Sequence, residues 1–84
     1  VIQVKIAFVQ DGVEAVDIVE CRIFTPDSLA TGIENKAVAL TGKHIDVNPI
    51  RVIYVEDKLF IFMFDADDRV IAGYAMWVSG EEEA

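Results

Sequence analysis

A small, mainly antiparallel α+β fold is what this sequence predicts. Three observations predict it: period-two apolar patterning at the N-terminus, one capped segment of helical period in the middle, and three apolar runs separated by short polar turns in the C-terminal half. Read along the chain, the elements are β-β-α-β-β-β with one short helix, and the sheet is expected to be curled or to form an open barrel. The 84 residues are enough for one core and too few for two, so residues 1–80 are read as one domain and residues 81–84 as a frayed, acidic polar tail.

In residues 1–9, Ile2, Val4, Ile6 and Phe8 share one parity while Gln3 and Lys5 occupy the other, the pattern of a strand with one face on a core. Gln10-Asp11-Gly12 follows as a turn, because glycine accepts positive φ without a Cβ clash. Residues 13–24 read as a second strand in which Val13, Ala15, Val19, Cys21 and Ile23 share a parity that Asp17 interrupts. The interruption predicts a bulge near Asp17.

Thr25-Pro26-Asp27-Ser28 predicts a helix start. The threonine oxygen can accept from a free amide, proline loses nothing at the first helical position, and Asp27 suits the positive end of the helix. Leu29, Ile33, Ala37 and Leu40 then draw an apolar stripe, and Gly42 can end the segment. Gly32 leaves open a helix that starts in earnest only near Ile33, since glycine costs about 1 kcal/mol relative to alanine inside a helix. Residues 43–49 are expected to be a connection closed by Pro49.

From Ile50 onward three strands form a meander, with turns at Glu56-Asp57-Lys58 and Asp65-Ala66-Asp67-Asp68. Leu59 to Phe64 has no polar parity: Leu59, Ile61 and Met63 point one way, and Phe60, Phe62 and Phe64 the other. One helix covers one face of a small sheet, so the second needs another cover. The expectation is that the Phe60-Phe62-Phe64 row, with Trp77, is an interface protected by a second copy of the chain; cover by the first hairpin, through Ile2, Val4, Ile6 and Phe8, is the competing arrangement, and cover by a ligand or another protein is the third.

Fifteen Asp and Glu against seven Lys and Arg give a formal charge of -8, which argues against direct nucleic-acid binding and against anionic membranes. No apolar stretch approaches the roughly 18–20 residues of a spanning helix, and the N-terminal segment lacks the organisation of a signal peptide, so a cytoplasmic location is the default. Cys21 is the only cysteine, which excludes an intrachain disulfide. It is read as a small buried hydrophobe.

No residue pattern supports a catalytic, cofactor or metal site. Cys21, His44 and Asp46 lack zinc spacing, and the glycines form no phosphate cradle. Phe62 to Val70 resembles the first motif of haloacid-dehalogenase-like phosphotransferases, an apolar strand running into Asp-x-Asp. The resemblance implies a nucleophile at Asp65 and an acid-base group at Asp67, both near magnesium. Only 19 residues follow Asp65, too few for the Rossmann-like domain of that family, and the segment is read as an acidic hairpin turn.

These observations rank three functions. The first is a noncatalytic interaction or structural protein, a homodimer that presents an acidic surface at Asp57, Asp65, Asp67 and Asp68 to a basic protein partner. The second is a nucleic-acid mimic inhibiting a DNA- or RNA-binding protein, which requires the carboxylates to form one stripe. The third is a small enzyme whose site assembles between subunits from Asp65, Asp67, His44 or Arg51.

Overall fold

The computed structural model describes residues 1–10 and 12–83, except the side chain of Gln10. The elements are β1 (Ile2–Gln10), β2 (Val13–Cys21), α1 (Pro26–Thr41), β3 (Val47–Glu56), β4 (Leu59–Ala66) and β5 (Arg69–Gly80). The five strands form one sheet in the order β2-β1-β5-β4-β3, and every neighbouring pair is antiparallel. The expected α+β class and element order hold, but the expected curl or open barrel does not. β2 and β3 are the two edges and do not pair with each other.

The physical reason is the placement of the first hairpin and the helix. β1 pairs with β5, so the hairpin extends the sheet instead of folding over it. The chain then crosses back as α1, which contacts both edge strands, β2 and β3. That crossing covers one face without any need for closure.

α1 starts as its cap predicts. Thr25 is extended, its Oγ1 accepts from the Ser28 amide at 3.3 Å, and Pro26 opens the first turn. Gly42, at φ 72°, donates its amide to the Val38 carbonyl at 2.8 Å and ends the helix. The helix runs unbroken through Gly32, so the alternative start near Ile33 is overturned. Leu29 and Ala30 are buried and Ile33 packs against the core, whereas Leu40 is 70 % exposed. The stripe therefore engages the sheet through its first half. A hydrogen bond of 2.6 Å from the Val47 amide to Glu34 Oε1 ties the helix to the start of β3.

The β1–β2 register runs without interruption from Ile2–Cys21 to Gln10–Val13, so the bulge expected near Asp17 is absent. Asp17 keeps the inward parity and is satisfied at the sheet edge by Lys36 of α1, with Nζ 2.7 Å from Oδ1. Irregularities fall elsewhere, between Gln3 and Val4 opposite β5 and at two points of β3 opposite β4. One of them follows Pro49 directly, between Pro49 and Arg51, and Pro49 lies inside β3 and not ahead of it. An edge strand with a bulge tolerates the missing donor. Of the first turn, Gly12 has the positive φ expected, 78°, while Asp11 lies outside the described residues.

The core sits between α1 and one face of the sheet: Ile2, Val4 and Ile6 of β1, Val19 and Cys21 of β2, Phe60, Phe62 and Phe64 of β4, Ile71 and Ala75 of β5, and Leu29 and Ala30 of α1. Phe60 is fully buried, and Phe62 and Phe64 are each 4 % exposed, all within one chain. The expectation that this row needs a second chain for protection is thus corrected. The three rings form the centre of the core, with Phe62 and Phe64 stacked at 5.3 Å, and each contributes about 1.5–3 kcal/mol by burial.

Residues 81–83 of the expected polar tail are hydrogen-bonded to the body of the domain, while Ala84 lies outside the described residues. The Glu83 amide donates to the Arg22 carbonyl at 2.8 Å, and Glu82 Oε2 accepts from the Phe24 amide at 3.2 Å. Glu83 also pairs with Arg22 at 3.3 Å.

Candidate interaction surface

The register fixes which side chains share the sheet face opposite α1. One cross-strand row runs Ile18, Lys5, Met76, Leu59 and Glu56 from β2 to β3. The next runs Val16, Ala7, Tyr74, Ile61 and Ile53, and the third runs Glu14, Val9, Ala72, Met63 and Arg51. No described element of the chain packs on this face. Val16, Ile18, Ile53, Ile61 and Met76 are exposed, and Leu59, Met63 and Tyr74 are half-buried among their neighbours.

Two-sided apolarity in β4 was legible in the sequence, but which side stays open was not. The choice follows from area: three phenylalanines bury more apolar surface than Leu59, Ile61 and Met63, so the aromatic row takes the side that the helix can cover. The missed residues are therefore Val16, Ile18, Tyr74, Met76, Ile53 and Ile61. The alternation within residues 59–64 was the signal that could have identified the β4 member.

Charge is distributed around this face more than within it. Its interior row, Val16 to Ile53, carries none. Glu14 and Arg51 stand at opposite edges of the third row, and Lys5 stands inside the first. Among the described residues, none of these three is in an ion pair.

The four acidic residues read from the sequence do not make one patch. Asp57 lies in the turn between β3 and β4, whereas Asp67 and Asp68 form the turn between β4 and β5, at the other end of β4. An eight-residue strand separates those turns by about 25 Å. Asp65 lies within β4, half-buried, with Oδ1 buried and without a hydrogen-bond partner. Trp77 faces the core side, its ring 6.0 Å from that of Phe24 and covered by Lys58 Nζ at 5.1 Å.

The groups weighed for chemistry are likewise apart in character. Cys21 is buried beneath α1, and desolvation pushes its thiol up to about 11, which disfavours the reactive thiolate. His44 Nε2 lies 3.0 Å from Asp46 Oδ1, with both side chains largely in solvent. Arg51 is exposed on edge strand β3 and Asp67 on a turn. Among the described residues, no three His, Cys, Asp or Glu side chains group as metal ligands would.

An open groove of about 1130 Å3 runs between the β2 edge and α1, past Ile18, Glu20, Arg22, Thr31 and Lys36. Lys36 and Asp17 satisfy each other there, and Glu20 takes a hydrogen bond from Gln3, so the groove's polar groups are largely spent on one another. No described helix is long and apolar enough to cross a membrane. Comparison with protein families, with curated proteins and with solved structures finds no match to this chain.

Proposed function

We propose that this is a noncatalytic interaction protein that self-associates through the open face of its sheet. The observation that carries this reading is the uncovered apolar field made by Val16, Ile18, Tyr74, Met76, Ile53 and Ile61 on a sheet whose other face is already packed. A contiguous field of this kind marks an interaction site when it occurs on a folded domain.

A second copy is the occupant that area and charge favour. Five strands about 4.8 Å apart and about 26 Å long present roughly 600 Å2 in projection, so two copies bury about 1,200 Å2, the lower bound for a stable interface. The chain carries -8 overall, yet the central row of this face carries no charge. Packing two copies there keeps Asp57, Asp67 and Asp68 at the hydrated ends of the assembly. Those ends are where a basic protein partner would be met, through salt-sensitive contacts.

Sedimentation equilibrium over a micromolar concentration range tests the reading. The wild-type chain is expected to associate, and Ile61→Glu is expected to give a folded monomer. Phe62→Asp is expected to unfold the single chain, because that side chain belongs to its core. A wild-type monomer across the whole range would overturn the proposal.

A further inference from the structure

We infer that the two copies pack as an isologous pair whose two-fold axis runs along the strands over Tyr74, so that Glu14 of each chain meets Arg51 of the partner subunit. This rests on the proposed self-association and specifies its geometry. β5 is the middle strand of five, and Tyr74 lies in the middle of the three open-face rows. Rotation about an axis along β5 keeps each row in register and exchanges β1 with β4 and β2 with β3.

Four consequences of that exchange fit the side chains present. Ala7, small and buried in the floor of the face, comes opposite Ile61 of the partner subunit, which stands 48 % exposed. Val16 comes opposite the partner's Ile53. Glu14 and Arg51, at opposite edges of one row, come opposite each other's counterparts twice, by symmetry. Lys5 comes over the partner's Leu59, beside the partner's Glu56 at the interface rim.

A two-fold axis across the strands does worse. It places Ala7 against Ala7 of the partner subunit, small against small, and, two strands away, Ile61 against the partner's Ile61, large against large, so that neither pair is complementary in volume. It also lays Lys5 over Val9 of the partner subunit. Aligned sheets pack with strands within about 30° of each other, a rotation that long glutamate and arginine side chains absorb at the edges.

Charge reversal distinguishes the two axes. Glu14→Arg and Arg51→Glu, both on exposed edge positions, are each expected to weaken the dimer about tenfold at low salt, since each single change converts two attractive pairs into repulsive ones. The double variant Glu14→Arg/Arg51→Glu is expected to return the dissociation constant to within about threefold of wild type. Circular dichroism confirms that each chain remains folded.

Failure of the double variant to recover, with a wild-type dimer present, would overturn this geometry while leaving self-association standing. Recovery in Arg51→Glu/Glu56→Arg instead would assign the crosswise axis and equally overturn it. A wild-type monomer would remove the self-association on which both depend.

Discussion

Gly32 of α1 sits directly on the Glu20 carbonyl of β2: a Cβ at position 32 would lie 2.5 Å from that oxygen and 2.6 Å from Val19 Cγ1. The contact lets a helix cross close over an edge strand. On an exposed helix, glycine to alanine gains about 1 kcal/mol. Here the clashing atoms include backbone, so Gly32→Ala is expected to destabilise by about 1–3 kcal/mol and to lower the urea midpoint. A midpoint at or above wild type would show that α1 can slide off β2 at no cost.

Asp17 and Lys36 close the same edge. Lys36 Nζ reaches both Asp17 Oδ1 at 2.7 Å and the Ile18 carbonyl at 2.6 Å, and Oδ1 also accepts the Ile18 amide at 2.8 Å. Both backbone polar groups of Ile18 are thus occupied, which blunts β2 as a template for another strand. The hydrogen bond from Lys36, then that from the Ile18 amide, hold the Asp17 carboxyl below its ordinary value of 3.8. A depressed carboxylate contributes stability above its unfolded value and loses it as pH falls through the folded one. With about half the Asp17 side chain exposed, Asp17→Asn is expected to cost only about 0.2–1 kcal/mol at pH 7. The difference should vanish below the folded value, a convergence that acid titration of both proteins checks.

These two contacts mark where the sequence stopped being legible. The caps at Thr25 and Gly42 and the parities of β1 and β4 rest on local chemistry and stand in the fold, whereas β2 ends at Cys21, short of the expected Phe24, and the second turn shrinks to Asp67-Asp68 because Asp65 and Ala66 continue β4. Sheet order rests on long-range packing, and local patterns do not carry it. The same limit hid the role of Gly32, which reads locally as a helix defect, and of Asp17, which reads locally as a break in parity. It also hid the open face, because the alternation in residues 59–64 states that both sides are apolar but not which one α1 takes.

Asp67 and Asp68 both have positive φ, 52° and 61°, in a two-residue turn joining β4 to β5. Paired positive φ is the signature of a type I′ turn, which favours glycine at its second position. Aspartate tolerates the left-handed region better than most residues but still pays a steric cost, and here two carboxylates sit side by side. Asp68→Gly is expected to stabilise by about 0.5–1 kcal/mol. For a domain of this size, each kcal/mol raises the melting temperature by about 4–8 °C, which calorimetry resolves. A fall in melting temperature would mean that Asp68 makes a compensating contact worth more than its strain.

Cys21 couples the core to alkaline pH. It is buried where β2 meets α1, its Sγ 3.0 Å from where a Cβ on Gly32 would stand, and desolvation raises its thiol from 9.0 to about 11. In the unfolded chain the thiol ionises near its ordinary value, whereas the folded chain keeps it neutral. Stability is therefore unaffected by this group at neutral pH and falls as pH rises from about 9 towards 11, with a limiting slope of about 1.4 kcal/mol per pH unit. The wild-type slope alone does not isolate the thiol. Comparison with Cys21→Ala does. That variant is expected to be less stable at pH 7.5, having lost a buried sulfur, and to lose less further stability by pH 10.5 than the wild type. Urea midpoints at the two values give both quantities, and parallel losses in the two proteins would show that Cys21 is not the group through which the fold senses base.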